Sequence, residues 1–168
     1  MWYNINKREK VVIYMFVSNS NIQISINDSF LNMPEFKQKQ LKNSWAYPFG
    51  IEFFPAINED RFSVLYSNKG SRPNTPVNII IGALILKQLL GLTDFELLQN
   101  IYFDDRFEFA LGLTSWEDKP PVSYNTFTNF RKRVKAYYDK TGVDLIQEEV
   151  ENLSQLIADI LDIKTKST

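Results

Sequence analysis

The stretch Ser123 to Lys140 reads S-Y-N-T-F-T-N-F-R-K-R-V-K-A-Y-Y-D-K, and its side chains are the ones that could do chemistry. From Ser123 to Gly142 the cations are Arg131, Lys132, Arg133, Lys135 and Lys140, against Asp139 alone, a local excess of four positive charges. Ser123, Asn125, Thr126, Thr128 and Asn129 are interleaved with them. Arginine and lysine neutralise phosphates, while hydroxyl and amide side chains hydrogen-bond phosphates and base edges, so the pattern fits a nucleic-acid contact. A merely solvated helix face mixes both signs. The whole chain carries a formal net charge of −1, so any attraction to nucleic acid must come from a patch of this kind.

Other chemistries are excluded by composition. There is no cysteine and no histidine, which removes disulfides, the usual zinc sites, thiol nucleophiles and imidazole acid–base catalysis. Asp104, Asp105 and Glu108 could pass for a metal cluster, but they share a short segment without further ligands. They read as helix-terminal caps or as partners for Arg106, Arg131 or Arg133. No catalytic residue, metal site or cofactor is predicted.

The basic stretch needs a helix to present it. Phe127, Phe130, Val134, Tyr137 and Tyr138 follow helical spacing and form its expected core face, with a start near Ser123 or Asn125 and Gly142 as the stop. Thr128, Lys132 and Lys135 then share one stripe, and Asn129 and Arg133 another. Arg131 falls at the edge of the apolar face, where a pairing with Asp104 or Asp105 is expected. Upstream, Thr75 is the expected N-cap and Pro76 the first residue of an apolar helix running to Leu90. Ile79, Ile80, Ile81, Ala83, Leu84, Ile85, Leu86, Leu89 and Leu90 cover most of its circumference, which places it centrally. The run from Val77 to Leu86 falls well short of the roughly 18–20 apolar residues of a membrane span, and no membrane partner is predicted.

Gly91 sits where a left-handed C-terminal glycine belongs, and Thr93 with Glu96 makes a T-x-x-E capping box for a second helix burying Phe95, Leu97, Leu98 and Ile101. The three-residue connection Gly91-Leu92-Thr93 suits a helix-turn-helix unit. Lys69 and Arg72, in the loop before the central helix, lie where free N–H groups also attract anions, so a phosphate contact is expected there.

These segments together carry a resemblance. The order Arg72-Pro73, apolar helix, G-L-T-D-F-E-L from Gly91, D-D-R-F-E-F-A-L-G-L from Asp104, and S-Y-N-T-F-T-N-F-R from Ser123 resembles the N-terminal domain of InsH-type transposases. These are bacterial insertion-sequence enzymes with a DDE catalytic domain. The likeness covers about Phe30 to Ile163, and its motifs are specific as an ordered set. It implies a helical region that binds double-stranded DNA at the element's terminal inverted repeats, in the cytoplasm at the nucleoid. It further implies that the catalytic domain, with three carboxylates binding two divalent metals, follows at about Thr168. On that expectation this chain is a truncated transposase and not an enzyme by itself.

With 168 residues, 44% hydrophobic composition and 13 phenylalanines, a folded domain is expected. The fold class expected is mainly α: a helical bundle with a helix-turn-helix-like core and room for a short N-terminal strand. Residues 1–26 form an extension in which Ile22, Ile24 and Ile26 alternate as a strand would; the basic and apolar run from Lys7 to Val17 lacks a signal-peptide cleavage site. Residues 27–142 form the DNA-binding domain. It contains a helix from Phe30 to about Leu41, an irregular aromatic connection around Trp45, Tyr47, Phe49, Phe53 and Phe54 packed on the core, and a helix within 56–66. Residues 143–168 form an amphipathic helix and tail. Ile146, Val150, Leu153, Ile157 and Ile160 repeat there with coiled-coil spacing, which leaves a homodimer through 143–161 as an alternative to packing on the domain. A protein–protein assembly domain is the competing function.

Overall fold

The computed structural model describes residues 14–19, 30–67, 72–113 and 120–166. The first thirteen residues, the alternating Ile22, Ile24 and Ile26, and Lys69 lie outside the described residues. Two short strands, β1 (Tyr14–Met15) and β2 (Arg72–Pro73), pair in parallel with Tyr14 opposite Arg72. Among the described residues the other regular elements are helical. In chain order the helices are α1 (Glu35–Lys42), α2 (Ala46–Pro48), a π turn (Phe49–Phe53), α3 (Phe54–Ala56) and a 3₁₀ helix (Glu59–Leu65). There follow α4 (Val77–Leu90), α5 (Asp94–Phe103), α6 (Asp105–Ala110), α7 (Tyr124–Thr141), α8 (Leu145–Asn152) and α9 (Ser154–Lys166). The fold is mainly α, as the sequence pattern requires.

Helix α4 is the core, buried from Val77 to Ala83 and again at Ile85 and Leu86. Its start differs from the expected one. Pro76, not Thr75, is the N-cap, with ψ 126° and no side-chain cap. With its ψ in the extended range Pro76 stands outside the helix, so Val77 is the first helical residue and Thr75 lies one position too early to cap it. Buried Asn78 compensates: its Oδ1 accepts the Ile79 N–H at 2.9 Å, one of the amides that a helix start leaves without a partner. Gly82 marks a close approach, since a Cβ there would lie 2.9 Å from Leu111 Cδ2 and 3.2 Å from the Phe54 ring.

At the other end, Gly91 adopts φ 67° and the Leu92 N–H returns to the Lys87 carbonyl at 2.9 Å. An L side chain would be strained in that conformation, so the glycine is what allows the chain to reverse so tightly. Thr93 and Glu96 form the reciprocal capping box of α5. The two helices bend by 114° across this turn, within the roughly 90–120° of helix-turn-helix pairs. Among the described residues no single helix is long and apolar enough to cross a membrane.

Three expectations are corrected. The aromatic connection is helical over 46–56 and not irregular. The proline ring of Pro55 would clash with the carbonyl four residues back in an α-helix, and the wider π turn ahead of it makes room. Its aromatics are core: Phe49, Phe53 and Phe54 are fully buried, Phe49 stacks on Phe53 at 4.6 Å, and Trp45 meets Phe107 edge-on at 5.3 Å. Phe95 is 70% exposed, so α5 buries Leu97, Leu98 and Ile101 without it. Lastly, the tail is two helices. The chain leaves helical geometry at Leu153 (φ −95°, ψ 2°), which is buried in the domain core, and α9 folds back onto the π turn. The coiled-coil seam is therefore interrupted at its central residue. Glu149 is buried; its Oε1 accepts the Asn58 N–H at 2.7 Å and its Oε2 is ion-paired with Arg61 Nε at 3.1 Å, which fastens α8 to the 3₁₀ helix.

Candidate nucleic-acid interface

Helix α7 runs for 18 residues because both ends are specified locally. Ser123 Oγ accepts the Thr126 N–H at 3.3 Å, Thr126 Oγ1 accepts the Ser123 N–H at 3.1 Å, and Gly142 ends the helix with φ 74°. The hydroxyls of Ser123 and Thr126, read from sequence as contacts to nucleic acid, are thus engaged in the cap. Phe127, Phe130 and Val134 face the core; Tyr137 is half-buried, while Tyr138, expected in the core, is 50% exposed. The Phe130 ring packs on Phe62 of the 3₁₀ helix at 5.9 Å. With that apolar side fixed, the 100° step per residue turns Asn125, Asn129, Lys132 and Ala136 outward in one row, and all four are exposed.

The flanks of this row are held by named partners. On one side Arg131 grips Asp94, not Asp104 or Asp105. Its Nη1 and Nη2 donate to Asp94 Oδ2 and Oδ1 at 2.7 and 2.8 Å, and Lys87 Nζ reaches Oδ1 at 2.9 Å. One carboxylate at the start of α5 therefore ties together α4, α5 and α7. The Arg131 guanidinium, and then the Lys87 ammonium, hold the Asp94 carboxyl far below the usual carboxylate range. Lys135 pairs with Asp139 one turn on at 2.9 Å, and Thr128, two turns before Lys135, is half-buried. Asp104 caps α6 and pairs with Arg106, while Asp105 pairs with Lys37. Among the described residues no three carboxylates converge on a possible metal position.

On the other flank, the Arg133 guanidinium lies over the Tyr66 ring at 5.0 Å. Burial pushes the Tyr66 phenol up, and the Arg133 charge opposes that shift. Beside these two residues opens a cleft of about 120 Å³. Asn125, Asn129 and Arg133, at steps of four along α7, line one wall; Tyr66, Asn74 and Thr75 line the other. The structure thus brings most of the sequence-predicted residues onto α7 and its cleft. Arg72 lies in β2, opposite Tyr14 of β1. Tyr66, Thr75 and Asp94 were not read from sequence as parts of this surface. Their own neighbours point to a core residue and to caps, and the Asp94–Arg131 contact spans 37 residues of chain.

The family described as Transposase domain (DUF772) matches residues 50–133, from the π turn to Arg133 in α7. No curated protein and no solved structure matches the chain.

Proposed function

The chain belongs to the transposase domain (DUF772) family, and on that premise we propose that α7 docks it on double-stranded DNA at the terminal inverted repeats of an insertion sequence. The observation that carries this reading is the outward row Asn125, Asn129 and Lys132, exposed on a helix whose other faces are committed to the core, to Asp94 and to Tyr66. Asparagine amides suit adenine edges in the major groove, and lysines suit phosphates. α5, the second helix of the 114° pair, is a poor reader of DNA: its polar surface presents Asp94, Glu96, Gln99 and Asn100 and no cation. α7 takes that part instead. On this reading the region supplies binding and orientation, not the phosphoryl-transfer step, and it works at the bacterial nucleoid.

The test is duplex binding across a salt series, on a terminal repeat and on a scrambled duplex. Lys132→Gln combined with Lys135→Gln should make the slope of log K against log salt shallower by roughly 1–2 units, at about 0.9 per phosphate contact. An unchanged affinity and slope in that variant would remove α7 from the DNA. A second reading, an assembly domain, is favoured by Phe36, Phe95 and Phe103, which are 68%, 70% and 79% exposed on α1 and α5. Concentration-dependent sedimentation without DNA binding would support it over the first.

A further inference from the structure

We infer that the cleft between α7 and the start of α4 is a binding subsite for a single phosphate group. This rests on the proposal that α7 faces DNA, and it adds a discrete anchor beside the outward row. The cleft measures about 120 Å³. That is well below the roughly 300–1,000 Å³ of pockets that enclose a nucleoside-sized or larger ligand. Its described walls carry hydroxyls, amides and one guanidinium, and among the described lining residues there is no carboxylate. Such a lining is rich in donors and carries positive charge, the combination that oxyanions require and cations reject.

A base-reading pocket is disfavoured by the aromatic side of the cleft. A flipped base needs an open ring face on which to stack. The Tyr66 ring carries Arg133 at 5.0 Å and Phe16 at 5.8 Å, so it serves as a seat for the guanidinium. A guanidinium held over the ring beside the cleft has fewer orientations to lose when it meets an anion, and arginine suits the forked contact that phosphate oxygens offer. Asn125 and Asn129, both exposed, stand on the same edge of α7 one and two turns before it, and Thr75 faces them from the segment leading into α4.

The same chemistry is offered by a phosphodiester within a duplex and by a phosphate monoester at a strand end. Titration of the full chain with inorganic phosphate, followed by NMR, tests the site directly. The side-chain amide signals of Asn125 and Asn129 and the Arg133 Nε signal should move on one saturable curve, and not with chloride at equal ionic strength. Arg133→Gln and Asn129→Ala should each weaken phosphate binding about tenfold, the scale of one charge-assisted hydrogen bond. Asn129 is exposed, so its alanine variant keeps the test valid should the Arg133 variant misfold. On duplex DNA, Arg133→Gln should make the salt slope shallower by about 0.9. An equal loss with 5′-phosphate and 5′-hydroxyl ends assigns an internal phosphodiester; a loss confined to 5′-phosphate ends assigns the terminal group. Shifts that never saturate and spread over Lys132, Lys135 and Lys140 would overturn the subsite. Duplex binding that depends on Lys132 and Lys135 but ignores Arg133 and Asn129 would overturn it too, while leaving the role of α7 intact. Saturable phosphate binding without duplex binding would do the reverse.

Discussion

Replacing Asp94 with asparagine removes the one negative charge on which Lys87 and Arg131 converge while keeping the shape of the side chain. Three charge-assisted contacts at 2.9, 2.7 and 2.8 Å are weakened together. Hydrogen bonds to charged groups contribute about 1.5–3 kcal/mol when well buried, and exposed pairs about 0.2–1. The Asp94 side chain is 23% exposed and that of Arg131 38%, so solvent screening places the site toward the lower range. A loss of about 1–2 kcal/mol is expected for Asp94→Asn. For a domain of this length that lowers Tm by about 3–6 °C. The sign of the pH dependence follows from the depressed carboxyl. Between the folded and unfolded pKa values the unfolded chain binds the extra proton, so stability rises with pH there. The wild-type advantage over Asp94→Asn should be full at neutral pH, begin to shrink below about pH 4, the ordinary carboxylate value, and keep shrinking as pH falls further. Thermal and urea melts of both proteins at pH 7, 5 and 3.5 measure this, and a double-mutant cycle with Arg131→Gln isolates the pair. An advantage that is the same at pH 3.5 and pH 7, or a coupling energy near zero, would show that Asp94 does not hold α7 in place.

Other perturbations probe the frame around the site. Gly82→Ala should destabilise the domain by about 1–3 kcal/mol through overpacking, because the added Cβ meets Leu111 and Phe54; an unchanged urea midpoint would mean that α4 can shift away from them. Thr93→Ala should cost about 1 kcal/mol by uncapping α5, read from the same midpoint, and Thr93→Ser should recover most of it. On the proposed binding-only role, the purified chain should neither nick nor join labelled repeat ends with Mg²⁺ or Mn²⁺. Metal-dependent cleavage that persists through repurification would contradict the binding-only role.

The central helix, the turn at Gly91, the Thr93–Glu96 capping box and the basic character of α7 were legible in the sequence because each is local, whereas Ser123 and Thr126, read as nucleic-acid contacts, form a second box. A cap needs a hydroxyl and an amide three residues apart, and a core face needs only helical spacing. The break at Leu153 was not legible, because the same periodic pattern serves one straight helix or two bent ones; the choice fell to the burial of Leu153 and the docking of α9. Nor was the helical path of 46–56, where prolines that locally signal an irregular chain are accommodated by a π turn packed in the aromatic core. Most consequential for function, the order of residues names the cations of α7 but not which of them face outward with a partner already in hand. Arg131 is spent on Asp94, Arg133 is seated on Tyr66, and Thr75 becomes a cleft wall in place of a cap. Those assignments join segments far apart in the chain, so they arise only when long-range packing brings α5 and the 3₁₀ helix against α7.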